Sequence, residues 1–485
     1  MRCETILSGG LVVDGTGAAA SRGDVGISGG KIVAVGDLTK AEAGSRIDCT
    51  GRVVAPGFID AHTHDDAALL EFPDMPMKTS QGVTTVVAGN CGVSVAPVEL
   101  PGDPPPPLDL LGTRATYRFP RFADWRKALA DTPAAVNSIG MVGHSALRVQ
   151  VMSDLNRPAD AKEAAKMARL VEGAMADGAL GLSTGLFYAP AKLAPTREIV
   201  ALAKIAGAAG GIYATHLRNE SEFLEEAVEE ALTIGREAYL PVVLSHHKAA
   251  GLPYHGKTAR TIPIIEEARK HQRIALDVYP YIASSTVLTT DRPLAGMKVV
   301  ITWSKAMPQA QGRELAELAA EHGLDINAMA AKLQPAGAIY FAMAEEDVRR
   351  VLSWPEAMIG SDGLPHDAHP HPRLWGTFPR VLGHYSRDLK LFPLEEAVRR
   401  MTSLPAKRFG LAGRGTLRAG AAADIAVFDA GTVLDRATFA EPARAAVGID
   451  RVFVNGACVW EDGAPTGRRP GKCLALDSGA LDYAS

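Results

Sequence analysis

One repeating pattern constrains this chain more than any other. Eight short, apolar, β-prone runs follow one another at 57–64, 84–91, 137–144, 179–185, 211–216, 241–246, 273–279 and 357–362. Helical segments separate most of them. One is predicted at 159–177. Another, at 221–238, sets Phe223, Leu224, Val228 and Leu232 on one face behind a serine cap. Strand–helix alternation calls for a parallel sheet with helices packed outside it. Eight such units predict a closed (β/α)₈ TIM barrel. A doubly wound open sheet is the alternative.

The rest of the chain frames that barrel. Its 485 residues fit one large barrel with additions. Residues 4–55 read as short strands with glycine turns, and residues 415–464 look similar. The two ends are expected to pair into one small β-domain, a sandwich or small barrel. The predicted organisation is 1–56 and 414–485 for that domain and 57–413 for the barrel. Residues 280–350 separate the seventh and eighth runs, too long for an ordinary connection. They are expected to form an insert that closes over a site as a lid. Residues 101–118, with four prolines at 104–107, are expected to form a stiff exposed loop.

Composition excludes several classes of function. The 51 basic residues against 55 acidic ones leave a net charge of −4, which gives no electrostatic footprint for nucleic acid. No apolar run reaches the roughly 18 residues of a membrane span. The N-terminus lacks the apolar core of a secretory signal. Five scattered cysteines, an odd number, make no disulfide framework and predict a reducing compartment. The expectation is a cytoplasmic protein, monomeric or a small homo-oligomer.

The chemistry concentrates at the ends of the runs. His62 and His64 end the first, Cys91 the second, His144 the third, His216 the fifth, His246 the sixth and Asp362 the eighth. In a parallel barrel these ends converge on one face, where active sites form. Taken singly, each has an ordinary explanation. A lone cysteine is usually an inert buried residue, and an aspartate before glycine usually makes a turn. Together they form a ligand set. Residues i and i+2 of a strand share a side, so His62 and His64 can bind one metal. A thiolate from Cys91 suits zinc, with neutral nitrogens from His216 and His246. Asp362 can take a proton from an attacking water, and zinc lowers the pKa of bound water from about 15.7 to about 7. His246 and His247 point oppositely on a strand, and His246 is taken as the inward one. The histidine-rich stretch 366–371 lies in a proline-containing loop and reads as a rim. His255 reads as a loop residue.

The segments 57–64, 89–92, 215–219, 245–248 and 361–363 together resemble the amidohydrolase superfamily, and more narrowly its N-acyl-D-amino-acid deacylases. The similarity covers most of the chain. Many two-metal relatives bridge their ions with a carboxylated lysine on the fourth strand. Here that strand, 178–185, has no lysine, and Cys91 can take its place. This departure argues against a dihydroorotase or hydantoinase.

The resemblance implies a zinc enzyme that hydrolyses the amide of N-acyl-D-amino acids. It implies a tight zinc on Cys91, His216 and His246. It implies a weaker second site on His62, His64 and Asp362 that Cys91 can bridge. Asp362 would be general base toward water and general acid toward the leaving amine. The substrate carboxylate would meet Lys248, Tyr279, Ser285 and Arg373. The side-chain pocket would comprise Phe187, Leu294, Tyr340 and Met343. These are apolar or aromatic, which favours hydrophobic D-residues such as methionine, leucine or phenylalanine. Arg292, near Leu294, keeps an N-acyl-D-glutamate or N-acyl-D-aspartate deacylase open. Another amidohydrolase, acting on a dipeptide or cyclic amide, is the remaining enzymatic alternative. A non-catalytic binding protein on the same scaffold is the alternative outside enzymes. His144 has at most a supporting role.

Overall fold

The computed structural model describes residues 1–290, 294 and 296–483. Its centre is the predicted (β/α)₈ barrel. The eight barrel strands, in chain order, are Phe58–Asp60, Val83–Ala88, Asn137–Gly140, Gly181–Gly185, Ile212–His216, Val242–Leu244, Ile274–Val278 and Ala357–Ile359. Every pairing between neighbours is parallel. The ring closes where Ala61 N–H donates to the Ile359 carbonyl at 3.1 Å and Asp362 N–H to the His62 carbonyl at 2.8 Å. Between the third and fourth strands, Leu180 N–H donates to the Gly140 carbonyl at 2.8 Å. Ile59, Val87, Ile139, Leu180, Ile212 and Val243 fill the interior, which is a packed core.

The barrel helices form for legible reasons. The fourth-strand connection carries Ala161–Ala176, capped by Asp160, whose carboxylate accepts from Lys162 and Glu163 N–H while Glu163 reaches back. The helix before the sixth strand starts later than its sequence predicts, at Leu224. Ser221 is no cap: its hydroxyl donates to the Ala250 carbonyl, and Asn219 accepts from the Ser221 and Phe223 N–H groups. Phe223, expected on the apolar face, is exposed. The asparagine turn outcompetes the first helical turn.

Both chain ends build the small β-domain, as expected. Val53–Pro56 pairs antiparallel with Ile425–Phe428, so the N-terminal and C-terminal strands form one nine-stranded sheet. Beyond Pro465 the chain leaves that sheet. Ser138 N–H donates to the Lys472 carbonyl and Leu474 N–H to the Ser138 carbonyl, which ties the tail to the bottom of the third barrel strand. Leu474, Leu476, Leu481 and Tyr483 pack against the barrel's interior cluster. Residues 466–483 therefore belong with the barrel, where the sequence placed them in the β-domain. A barrel bottom is apolar and has to be covered, and the tail covers it.

Between the seventh and eighth strands lies the predicted insert. Ser284–Val287, Val299–Ser304 and Ala336–Tyr340 make a three-stranded antiparallel sheet, with helices at Leu315–Glu321 and Ile326–Leu333. The proline-rich segment is not the exposed loop expected. It turns through Leu108–Leu111, and Leu108, Leu110 and Leu111 are buried. Lys305 of the insert pairs with Asp103 at 3.2 Å, so loop and insert meet.

Candidate metal centre

The structure brings His62, His64, Cys91, His216, His246 and Asp362 together just past the carboxyl ends of the barrel strands. Cys91 Sγ lies 3.2 Å from His62 Nε2 and 3.4 Å from His246 Nε2. Asp362 Oδ1 lies 3.1 Å from His64 Nε2 and 3.4 Å from His62 Nε2. His62, Cys91, His246 and Asp362 form one group with donor atoms all within 4.8 Å, and His216, Glu220 and His246 form a second. A tetrahedral zinc with bonds of about 2.0–2.3 Å spaces its ligands about 3.3–3.8 Å apart. The 3.4 Å separation falls within that edge and the 3.2 Å one just below it. Sulfur with imidazole nitrogen is the donor set that zinc takes.

Local backbone aims these side chains. Cys91, His246 and Asp362 have φ of 54°, 36° and 50°, in the left-handed region that costs a side-chain-bearing residue about 1–3 kcal/mol. Each strand has ended, and the reversal turns the next side chain into the barrel mouth. Gly92 follows Cys91 at φ +74°, where an added Cβ would lie 2.7 Å from the Gly185 nitrogen. Only glycine lets the Cys91 loop approach the fourth strand this closely.

A buried network holds the first, seventh and eighth strands in register beneath the site. Asp60 accepts from Ser361 N–H at 2.7 Å, and Lys78 Nζ lies 2.8 Å from Asp60 Oδ2 and 3.0 Å from Ser361 Oγ. Asp277 accepts from His246 N–H at 2.9 Å and lies 3.2 Å from His62 Nδ1. A carboxylate on the far nitrogen fixes the ring that faces the donor group.

The charges sort themselves accordingly. Burial would raise the Cys91 thiol, but His62 and His246 outweigh it and hold the thiol well below its usual range. Burial would likewise raise Asp362, but Arg373, His62 and His246 hold it well below the usual carboxylate value. Asp362 is therefore an ionised carboxylate, with Arg373 Nη1 2.9 Å from its second oxygen. Arg373 is fully buried, donates to the Ser285 carbonyl at 3.0 Å and lies 4.6 Å over the Tyr279 ring.

The group opens on a small cavity. Lys248 lines it, held by Glu220 at 2.6 Å and His246 Nδ1 at 2.8 Å. Ser284, Ser285 and Thr286 form one wall; Val93, Leu110, Tyr188 and Leu364 form another.

The expected side-chain pocket is dispersed. Phe187 stacks on His216 with ring centres 5.8 Å apart. Leu294 is buried in the main hydrophobic core. Tyr340 is fully buried in the insert sheet and donates to the Val287 carbonyl at 2.9 Å. Met343 lines a second, smaller space that shares His246 and Lys248 with the main cavity, with Tyr279 and Tyr281. None of Leu294, Tyr340 and Met343 is among the residues lining the main cavity. The antiparallel pairing of Ser284–Val287 with Ala336–Tyr340 presents the serine–threonine strand to the cavity instead. Arg292 lies outside the described residues.

His144 stands apart from the donor group, 3.0 Å from Glu198. His247 pairs with Thr261 at 2.7 Å. His369 meets the Phe439 carbonyl, and His371, which is buried, accepts from Arg373 N–H. His255 meets the Ala342 carbonyl. Sequence reasoning missed Glu220 and Asp277. Glu220 was within reach: it stands four residues after His216, in the same strand-end loop.

With this geometry in place, the comparisons are decisive. The model of the amidohydrolase family matches residues 46–250 and 288–460. This chain belongs to the amidohydrolase family. Three proteins of Alcaligenes xylosoxydans xylosoxydans align over nearly its whole length. A D-aminoacylase is 56% identical, covering 97% of each chain. An N-acyl-D-aspartate deacylase is 50% identical, over 98% of this chain and 95% of that one. An N-acyl-D-glutamate deacylase is 47% identical, over 98% and 97%. Two solved structures superpose along 98% of this chain and 100% of their own. One is a D-aminoacylase studied for the role of its binuclear metal center, with a TM-score of 0.96 at 53% identity. The other is an N-acyl-D-glutamate deacylase from Bordetella bronchiseptica with zinc and a phosphonate inhibitor that mimics the tetrahedral intermediate, with a TM-score of 0.95 at 45% identity. This family member is an enzyme, a hydrolase of amide bonds, and the resemblance to N-acyl-D-amino-acid deacylases holds. Among the described residues, no helix is long and apolar enough to cross a membrane.

Proposed function

We propose that this enzyme hydrolyses N-acyl-D-amino acids with hydrophobic side chains, with zinc as its metal, releasing a carboxylate and a free D-amino acid. One observation carries the reading: a thiolate–imidazole donor group and an ionised Asp362 share a cavity with the cation of Lys248. The D configuration and the N-acyl amino acid rest on the three relatives and their printed activities. The hydrophobic preference rests on the higher identity to the D-aminoacylase.

Cys91, His216 and His246 would hold the tighter ion, and His62, His64 and Asp362 a weaker one bridged by Cys91. When bound, zinc supplies a nucleophile at neutral pH and polarises the amide carbonyl. The protein's own residues do the rest. Asp362, ionised and facing the cavity, accepts the proton of the attacking water and returns it to the leaving nitrogen. Arg373 and His64 keep its carboxylate oriented. Lys248 and the Ser285 hydroxyl receive the substrate carboxylate, with Arg373 and Tyr279 adding charge and support from behind Asp362. Phe187 stiffens His216 by stacking on it.

The test is amine release from N-acetyl-D-methionine, N-acetyl-L-methionine and N-acetyl-D-glutamate by zinc-loaded enzyme. Cleavage of the D-methionine compound alone is expected. Preference for D-glutamate would keep the reaction and overturn the side-chain assignment, as an N-acyl-D-glutamate deacylase. No cleavage of any would overturn the proposal.

A further inference from the structure

A second concavity lies against the outer edge of the site. It is an open groove of about 470 Å³ between the proline-rich segment and the insert. Pro104, Pro106 and Leu110 form one side; Trp303 and Pro335 form the other. Leu110 lines both this groove and the cavity over the donor group, so the two spaces share a wall. The side chains behind that wall are apolar. Cys91, Leu110, Tyr188, Val287 and Leu364 form one buried cluster, and Trp303 packs against it from the groove. The Lys305–Asp103 pair ties the two sides together at the groove's exposed rim.

The position matters because a bound N-acyl amino acid has three arms. Lys248 and Ser285 occupy the side of the cavity suited to the carboxylate. The Leu110 side, opposite in character, is left for an apolar arm. An acetyl group would end inside the cavity and leave the groove unused. We infer that the groove is a subsite for the acyl arm, and that this enzyme takes substrates with medium-chain alkanoyl groups in preference to acetyl. This rests on the deacylase reading above and specifies its substrate. The carboxyls that border the groove do not oppose an alkyl chain strongly. Burial pushes Asp109 and Asp367 up to about 7, and for Asp367 it outweighs the hydrogen bonds that act the other way, among them that from Trp303. Apolar area removed from water then favours each added methylene.

The experiment compares kcat/KM for N-acetyl-, N-hexanoyl- and N-octanoyl-D-methionine on the zinc-loaded full chain. The octanoyl compound is expected to exceed the acetyl one at least tenfold, about the gain from partial burial of six methylenes. Two variants locate the effect. Thr113→Trp, at an exposed position on the groove wall, fills it. Trp303→Ala removes its apolar floor. Each should bring the octanoyl-to-acetyl ratio within threefold of one while leaving acetyl turnover within about twofold. Trp303→Phe keeps the apolar face without the indole N–H and should keep the ratio, which separates the groove from the hydrogen bond to Asp367. A native ratio at or below one overturns the inference, as does a tenfold ratio that survives both variants. Cleavage of acetyl without chain-length preference leaves the deacylase reading standing. No cleavage of any compound overturns both.

Discussion

Asp362 and Glu220 divide the work at the scale of single residues. Asp362→Asn keeps the shape and removes the base, so kcat should fall about 10²–10⁴-fold. The tighter zinc, on Cys91, His216 and His246, should stay bound by atomic absorption while the weaker site is lost; a variant with near-native turnover would sink the assignment. Glu220 touches His216 Nε2 at 3.5 Å, His246 Nδ1 at 3.1 Å and Lys248 at 2.6 Å. Burial would raise its carboxyl, but His216 and Lys248 hold it well below the usual range. Glu220→Gln should therefore weaken zinc about 10–100-fold in a competition titration and raise KM as Lys248 loosens. Unchanged zinc affinity would mean that Glu220 merely fills space. The histidines, the cysteine and Asp362 were legible because strand ends announce themselves in sequence. The side-chain pocket was not. Which faces of the insert strands meet the cavity depends on antiparallel pairing across some fifty residues of chain, and no local pattern encodes that.

Among the elements, the helix His144–Val151 shows how the site's surroundings are stabilised. Fully buried Arg148 meets Glu198 from the helix Thr196–Ala208, and His144 meets the same carboxylate. Removing one partner of a buried pair costs about 3–5 kcal/mol because the other charge is stranded. Glu198→Ala should lower the unfolding free energy from denaturant titration by that order with little change in the metal site. Burial alone would raise Glu198, but hydrogen bonding and charge from His144, with Arg148, draw it down to about 2. An acid with a depressed folded pKa stabilises the fold above its unfolded value of about 4.5 and loses that contribution as pH falls toward 2. Acid unfolding of the native protein in that window should be steeper than that of Glu198→Ala; identical profiles would count against the pairing. The helix at Leu224–Ala238 makes the complementary point. Its periodicity was legible, but its start was decided by the Asn219 turn, a competition between two local hydrogen-bonding schemes.

At the scale of the whole molecule, the tail and the metal tie distant parts together. Residues 466–483 cover the barrel bottom with Leu474, Leu476, Leu481 and Tyr483. Deletion from residue 466 onward should expose Leu404 and Phe409, lower the melting temperature by several degrees and promote aggregation. An unchanged melting temperature would show the tail to be dispensable. Zinc should act at the opposite end. A ligand at one hundred times its dissociation constant adds about 2.7 kcal/mol. Chelation should lower the melting temperature, and zinc should restore it together with activity. The alternation of strands and helices, the histidine-, cysteine- and aspartate-bearing strand ends and the β-rich character of both termini were legible in local sequence. Periodicity and strand termination are properties of neighbouring residues. Which side chains line the cavity, where the tail docks and how the insert meets the proline-rich segment were decided only by tertiary structure. Those contacts join residues far apart in the chain, and their register is set by packing.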